Sequence, residues 1–347
     1  MKRILSFLLL LSLLSALCGC AAGKAAYSIT YTDVFDTVTT ITAYTRNQRE
    51  FKALAEKLHT ELLTCHQLFD IYHEYDGMNN LCTVNRAAGG DAVPVDERIL
   101  SLLELSQKLY AMSGGKLNVC MGSMLSLWHD ARVSALEDPA SAALPDAAAL
   151  KRAHGHISMD ALTLNREAGT VALSDPEARL DVGSVGKGWA VQRACQMAKD
   201  AGYSGFLVSA GGNVCTVGTK PGGESWRIAM EDPLNGGELA MLSLRDMSAV
   251  TSGSYQRFFA VDGKEYCHII DPDTWYPAES YTMVTVLCPD SAMADALSTS
   301  LFLLPVEDGL RLLHDCGAEA LWLFPNGSIQ TSPGFAENFA CKFDEPT

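Results

Sequence analysis

Apolar residues recur at helical spacing in five parts of the chain, and these segments predict its main helices. In the first, a polar face lies opposite apolar positions that repeat every three or four residues: Phe51, Leu54, Leu58, Leu62, Cys65 and Phe69. A second helix is predicted from Asp96 to Met112, because Ser113-Gly114-Gly115 follows it as a stop signal. The other three are predicted for residues 188–199, 291–304 and 307–315.

Short apolar runs between these helices predict β-strands. They span residues 38–44, 206–209, 227–230, 283–287 and 320–324. Strands and helices follow one another without a regular βαβ rhythm, so the pattern predicts an α+β fold. Residues 134–162 are rich in Ala, Asp and Pro and are expected to form an excursion on the surface.

The amino end has the pattern of a bacterial lipoprotein signal. Lys2 and Arg3 precede an apolar run, residues 4–17, that is shorter than the ~20 residues needed to span a bilayer. The run ends Leu17-Cys18-Gly19-Cys20, which fits a lipobox, so Cys20 is predicted to be the lipidated first residue of the mature protein. The alternatives are a signal peptide cut at another site and an anchor that is not cleaved.

The lipobox interpretation divides the chain and predicts where it is found. We expect an exported lipoprotein that is anchored to a membrane by its acyl chains and faces away from the cytoplasm. The predicted parts are a signal peptide at residues 1–19, a lipidated tether at 20–32 and one functional domain at 33–343.

Composition narrows the choice of partners. The chain carries 26 Lys and Arg against 41 Asp and Glu, and its formal charge of −15 becomes −17 once the signal is removed. This acidity argues against nucleic acid as a partner and against electrostatic attraction to anionic lipid, although a local pocket can still hold an anion. Nine of the eleven cysteines lie beyond Cys20, and none forms a C-x-x-C pair, so buried free thiols are expected.

The segment from Asp181 to Gly188 has the composition of a phosphate-binding turn. Its glycines open a predicted helix, and Lys187 stands among them, so free N–H groups and a positive charge come together. The segment is not a Walker loop, because Asp181 stands where the first glycine belongs and Gly188 replaces Ser or Thr. The alternative is a tight turn with a surface lysine.

Three further segments carry groups that are suited to catalysis. Paired glycines in Ser209-Ala210-Gly211-Gly212-Asn213 would let a ligand or another strand come close. His268 lies beside an acid and a proline turn, and a histidine near a phosphate can take a proton from an attacking hydroxyl. Asp295 and Thr299 are four residues apart on a predicted helix, so they share a face that could hold Mg²⁺. Taken singly, each segment also has a purely structural interpretation.

Together, these motifs resemble the ApbE family of FAD:protein FMN transferases. The order is D-x-G-x-x-x-K-G, G-G-[ND], T-S-G-x-Y, H-I-I-D-P and A-D-A-L-S-T, and the similarity extends from Phe35 to Phe335. The resemblance implies a single large α+β domain of T-fold-like architecture. Many members are lipoproteins, which agrees with Cys20.

The resemblance also implies a role for each matching residue. Asp295 and Thr299 would bind Mg²⁺ together with Ser184, through its side chain or its backbone. Asp181 and Lys187 would contact FAD, which is the substrate.

Other matching positions would serve the base and the flavin. His268 would contact FAD and activate the attacking hydroxyl, and Tyr72 or Tyr75 would supply an aromatic ring near the adenine. The flavin-contacting loop corresponds to Lys116, Leu117 and Asn118, which replace the more frequent A-F-D. Two further departures are Gln192 in place of an acid and Trp275 in place of a glycine.

The activity implied by the family is Mg²⁺-dependent transfer of FMN from FAD to a Thr or Ser hydroxyl of an acceptor, with release of AMP. Expected acceptors are flavin-carrying subunits or domains of membrane or exported redox systems. Two other functions stay open: an FAD pyrophosphatase that yields free FMN and AMP, and a lipoprotein that only binds flavin. The presence of Asp295, Thr299 and His268 argues against the second, because holding a flavin needs no general base.

Overall fold

The structure is a computed structural model that describes residues 23–339, so the predicted signal peptide and Cys20 lie outside the described residues. Within this range the helices are α1 (Gln48–Phe69), α2 (Leu81–Arg86), α3 (Glu97–Met112), α4 (Gly122–Glu137), α5 (Ala147–His154), α6 (Gly186–Asp200), α7 (Ser291–Leu303), α8 (Val306–Cys316) and α9 (Pro333–Phe339). The five helices predicted from apolar spacing correspond to α1, α3, α6, α7 and α8.

The strands form one large sheet and three small ones. They are β1 (Ala25–Val34), β2 (Thr37–Thr45), β3 (Val93–Pro94), β4 (Leu162–Asn165), β5 (Thr170–Leu173), β6 (Phe206–Ala210), β7 (Asn213–Val217), β8 (Trp226–Glu231), β9 (Glu238–Leu244), β10 (Ser248–Gly253), β11 (Phe258–Val261), β12 (Lys264–Cys267), β13 (Met283–Cys288), β14 (Glu319–Leu323) and β15 (Ile329–Thr331).

An eight-stranded antiparallel sheet is the centre of the fold. Its strand order is β1-β2-β6-β7-β10-β13-β14-β15, and the small sheets are β3-β5-β4, β8-β9 and β11-β12. Helices α1, α6 and α7 cover one face, with α6 on β7 and α7 on β10 and β13. The prediction of an α+β fold is confirmed.

Strand β13 shows why a central strand has a continuous apolar sequence. Successive side chains of a strand point to opposite faces. Val284 and Val286 pack in the cluster that includes α7, whereas Met283 and Leu287 pack in a cluster on the other face with residues of β9. Both faces are therefore buried, and every residue of β13 is buried.

Two segments differ from their predictions. Most of the range predicted as a tether, residues 20–32, lies in the edge strand β1, which pairs with β2. Its side chains are mostly exposed, so it lacks an apolar alternation, and cross-strand pairs such as Ser28–Thr42 at 3.0 Å and Thr30–Thr40 at 3.1 Å support it.

The second difference is residues 134–162, predicted as a surface excursion, which continue α4 and form α5. Leu150 of α5 packs with Trp128 of α4 and with Phe259 of β11 in a separate apolar cluster. Leu150 is the only buried residue of α5, so this helix has no repeating apolar pattern in the sequence. The β11–β12 hairpin therefore rests on a small helical layer.

The cysteine prediction is confirmed for the part of the chain that the structure describes. Eight free cysteines lie there, and seven of them are buried. Cys341 lies outside the described residues. Among residues 23–339, no helix is both long enough and apolar enough to cross a bilayer.

Candidate active site

The first turn of α6 faces an acid on α7. The Gly188 N–H donates to Asp295 Oδ2 at 2.7 Å, and Lys187 Nζ lies 3.5 Å from Asp295 Oδ1. The Asp295 side chain is buried. A Cβ on Gly188 would stand 2.4 Å from the Asp295 Cβ and 2.4 Å from the Ser291 carbonyl oxygen, so only glycine lets the two helices approach this closely.

Polar side chains fix the register of the two helices. The Ser291 N–H, at the start of α7, donates to Gln192 Oε1 of α6 at 2.8 Å. The Ser291 hydroxyl donates to Asn213 Oδ1, also at 2.8 Å. Asn213 is fully buried, and its Nδ2 has no hydrogen-bond partner among the described residues. A buried donor without a partner is costly, and this amide, next to Gly188, could bond to an oxygen of a ligand or of water.

The surroundings of Asp295 suit a cation. Burial raises the pKa of Asp295, while Lys187 and the Gly188 N–H act in the opposite direction. Thr299 lies one turn further along α7 and is half-buried, and its hydroxyl bonds to none of the described residues. Ser184 stands in the turn four residues before Gly188 and is also half-buried.

These side-chain oxygens could supply only part of the ligands that Mg²⁺ needs. Mg²⁺ in proteins is usually held by one or two carboxylates plus substrate phosphates and water. Among residues 23–339, no group of three or more His, Cys, Asp or Glu side chains could form a cage of protein ligands. Asp295 and Thr299 could therefore hold Mg²⁺ only with additional oxygens from a ligand or water, and the part of Ser184 in this site stays a prediction.

His268 follows β12 and presents a neutral base. Its backbone N–H and its Nδ1 both contact the Arg257 carbonyl oxygen, at 3.0 Å and 3.2 Å. Because a carbonyl oxygen can only accept, Nδ1 carries the proton and Nε2 keeps its lone pair. Desolvation, and then the charges of Arg257, Lys187 and Arg132, lower the pKa of His268 to about 4. The hydrogen bond to the Arg257 carbonyl acts in the opposite direction. The residue is exposed, so the three neighbouring cations are a firmer reason than burial for a neutral imidazole at pH 7.

Asp181 and Tyr72 belong to the same electrostatic neighbourhood. The Asp181 N–H donates to the Val119 carbonyl at 2.8 Å, and its Oδ1 accepts from the Gly183 N–H at 2.8 Å. Burial raises the pKa of Asp181, against the influence of His129 and Arg257. Burial and then the charge of Asp181 raise the pKa of Tyr72.

Of the two tyrosines proposed for the adenine, Tyr72 is more available to a ligand. Its side chain is 56% exposed, and its ring lies 5.3 Å from that of His129. The Tyr75 hydroxyl instead donates to Asp70 Oδ2 at 2.8 Å.

Sequence reasoning missed three basic residues of the site: His129, Arg132 and Arg257. They act electrostatically on Asp181, Tyr72 and His268. Arg257 had a sequence signal, since it is a positive charge two residues after T-S-G-x-Y in an acidic chain. The two residues of α4 had none, because the structure alone brings that helix to the site.

The three residues expected to contact flavin are buried or bonded to other residues of the protein. Leu117 is buried, and Asn118 Nδ2 donates to the Ile157 carbonyl at 2.8 Å. Lys116 bonds to Asp271 and Asp273. Their contact with flavin stays a prediction.

The glycine pair has a structural explanation. Gly211 and Gly212 form the tight turn between β6 and β7, with φ of +49° and +86°. A two-residue hairpin of this kind needs positive φ at both positions. A Cβ on Gly211 would also lie 2.3 Å from Thr37 Oγ1. The turn places Asn213 at the start of β7.

The fold and the site together are those of a single-domain α+β enzyme whose polar groups meet between two helices and a hairpin. The chain belongs to the ApbE family, whose sequence model matches residues 35–322. This confirms the resemblance found in the motifs.

Relatives agree with this assignment. The chain is 33% identical over 274 residues to the FAD:protein FMN transferase of Treponema pallidum, and the match covers 74% of each chain. It is 28% identical over 290 residues to the Escherichia coli K12 protein of the same name, over 81% of this chain and 80% of that one.

Solved structures share the fold. The ApbE protein of Thermotoga maritima superposes with a TM-score of 0.80 at 25% identity, over 90% of this chain and 99% of that one. The flavin transferase ApbE of Vibrio cholerae has a TM-score of 0.75 at 22% identity, over 90% and 99% of the two chains, and supports the fold alone.

Proposed function

We propose that the chain is an Mg²⁺-dependent FAD:protein FMN transferase that joins FMN to a Thr or Ser hydroxyl of an acceptor flavoprotein and releases AMP. The observation that carries the proposal is the meeting of Asp295, Lys187 and the unpartnered Asn213 amide at a glycine turn. Relatives of this name align with about three quarters of the chain.

In this proposal the glycine turn binds the two phosphates of FAD. Lys187 and the positive end of the helix dipole at the start of α6 would stabilise the negative charge of the phosphate oxygens. Asp295 and Thr299, with Ser184, would hold Mg²⁺. When bound, the metal would stabilise the negative charge that develops on the phosphate oxygens as AMP departs.

His268 would act as the general base. Its Nε2 would take the proton of the acceptor hydroxyl, and the hydroxyl oxygen would attack the phosphorus on the FMN side. A new P–O bond would form to the acceptor as the bond to the AMP phosphate breaks. Asp181 and Tyr72 would hold the nucleotide, with Tyr72 next to the adenine.

The place of action is part of the same proposal. Lipidation at Cys20 would anchor the mature chain to the outer side of the membrane, where acceptor subunits or domains of redox systems would meet it. The lipobox ending at Cys20 supports this step.

The test uses the mature protein with FAD, Mg²⁺ and a candidate acceptor domain, and it follows intact mass and AMP together. Transfer predicts that the acceptor gains the mass of one FMN less water, only with FAD and Mg²⁺ present. AMP released without any acceptor would favour the pyrophosphatase. FAD bound tightly without AMP would leave a flavin-binding protein.

Membrane attachment is tested separately. Radiolabelled acyl chains should enter the protein in bacterial cells and should be absent from the Cys20→Ser variant. Labelling that persists in this variant would contradict lipidation at Cys20.

A further inference from the structure

Lys116 makes two ion pairs next to the site. Its Nζ lies 2.8 Å from Asp271 Oδ1 and 2.8 Å from Asp273 Oδ2. The side chains of Lys116 and Asp271 keep only 15% and 18% exposure, so water screens this pair less than a surface pair. Desolvation opposes the charge of Lys116, but its bonds to the two aspartates outweigh it and raise the pKa of Lys116.

One end of this contact belongs to the loop that supports Asp181. The Leu117 N–H donates to Ser113 Oγ at 2.9 Å, which fixes the start of the loop. Two residues later, the Val119 carbonyl accepts the Asp181 N–H at 2.8 Å. The backbone of Lys116 therefore has a fixed position relative to Asp181.

The other end belongs to the turn that follows His268. The Asp271 N–H donates to the Tyr276 carbonyl at 3.0 Å, and the Trp275 N–H donates to the Asp271 carbonyl at 2.8 Å. Asp271 Oδ1 also accepts the Asp273 N–H at 2.9 Å. The turn is thus built around Asp271, three residues after His268.

This turn contains a strained residue. Trp275 has φ of +71°, in the region that favours glycine, and a non-glycine residue there costs ~1–2 kcal/mol. Trp128 Nε1 of α4 donates to the Trp275 carbonyl at 2.9 Å and holds it in place. A strained turn persists only where its surroundings fix it, so the contacts made by Trp128 and Lys116 have structural weight.

We propose that Lys116 is a positioning residue, whose two ion pairs hold the turn after His268 against the loop that supports Asp181. This role rests on the proposed function, in which His268 is the base. It commits the Lys116 amine to the protein and so differs from the flavin contact that the resemblance implies.

Removal of the Lys116 charge should misplace the base. In Lys116→Met, Asp271 and Asp273 lose their common cation and repel each other. We expect kcat to fall about 10- to 100-fold while KM for FAD changes much less, because a displaced base affects chemistry more than binding. The uncompensated carboxylates should also raise the pKa of His268, so the acidic limb of the kcat–pH profile should move to higher pH. Lys116→Arg keeps the charge and should restore most of the rate.

Hydrogen exchange gives a readout that is independent of activity. In Lys116→Met, protection of the Asp271 and Trp275 amides should fall about tenfold or more. Lys264→Met is the matched control. Lys264 lies in β12, just before His268, and the substitution removes only an exposed ion pair with Glu279, at 2.7 Å. It should change neither kcat nor the exchange of those amides. If Lys116→Met does not fold, Asp273→Asn removes one of the two pairs at a 75% exposed position and should show a weaker form of each effect.

The outcomes separate the two proposals. A wild-type protein that never cleaves FAD overturns the proposed function, whereas the exchange data still decide the role of Lys116. Unchanged exchange and an unchanged kcat in Lys116→Met would overturn the positioning role. A fall in FAD affinity with kcat and exchange unchanged would favour a flavin contact instead.

Discussion

At the scale of single residues, Asp295 and His268 differ in what surrounds their side chains. The Asp295 carboxylate is buried, and it has Lys187 and the Gly188 N–H as its only hydrogen-bond partners among the described residues. His268 is faced by cations and donates through Nδ1 to a carbonyl, so its Nε2 stays unprotonated. The first arrangement suits a metal ligand, and the second suits a base.

His268 should act as a base at pH values well below the usual pKa of histidine, and its replacement should slow the reaction. His268→Ala should slow FMN transfer by ~10²–10⁴ with FAD still bound. In the wild type, the base loses activity only as pH falls through the folded-state pKa of about 4, because protonation then removes the Nε2 lone pair. Rates measured from pH 3.5 to 8 check this. An acidic limb near 6.5 would contradict the lowered pKa of His268. An undiminished rate in the variant would remove His268 from the proposed mechanism.

Asp295→Asn should separate metal binding from folding. The amide oxygen can still accept from the Gly188 N–H, and no charge is buried, so the melting temperature without metal should not fall. Mg²⁺-dependent turnover should be lost, and Mg²⁺ with FAD should no longer raise the melting temperature. Thermal unfolding with and without Mg²⁺ measures both effects.

A matched control for Asp295 lies on the same helix. Asp290 is the exposed N-cap of α7 and accepts from the Met293 N–H at 3.0 Å. Asp290→Asn keeps a capping side chain and should retain the response to Mg²⁺. Retention of that response in Asp295→Asn as well would contradict its role as a ligand.

At the scale of elements, the site depends on how closely α6 approaches α7. Gly188 permits the approach, and Gln192 accepts the Ser291 N–H one turn further along α6. The family more often has an acid at position 192, and the structure shows why either residue works. A carboxylate would accept the same bond, at a helix N-terminus that favours negative charge.

Two substitutions of Gln192 should therefore have opposite effects. Gln192→Leu leaves the Ser291 N–H without its acceptor and should cost about 1–2 kcal/mol, which lowers the melting temperature by a few degrees. Gln192→Glu should match or exceed the wild type. Gln196→Leu is the control, because it removes only an exposed bond to Asp200 on the same helix. Equal melting temperatures for the Leu and Glu variants would refute this account of α7.

At the scale of the whole molecule, thiols report on the packing of the core. Burial raises the pKa of Cys65 and of Cys120 to about 12, which disfavours their reactive thiolates. Cys316 is the only one of the eight described cysteines that is partly exposed. A thiol reagent with peptide mapping should label Cys316 first and the seven buried cysteines only after unfolding. Disulfide-linked peptides from the native protein would contradict free thiols.

Sequence patterns predicted the helices and strands better than they predicted the contacts between them. Apolar spacing located α1, α3, α6, α7 and α8, because amphipathic helices carry their own signal. It missed β1, whose exposed side chains give no alternation. It also missed α4, where only four of 16 residues are buried, and α5, where only Leu150 is buried, and with α4 it missed His129 and Arg132.

The sequence by itself determined the local chemistry: which helices form, the glycines that admit a close approach, and the order of motifs that places the chain in its family. Only the tertiary structure decided that Asp295 accepts from Gly188, that Arg257 fixes the tautomer of His268 and that Lys116 joins two loops. The reason is physical. Helical periodicity and turn propensity act within a few residues, whereas these contacts join residues that are 107, 11 and 155 positions apart, so only the folded chain brings them together.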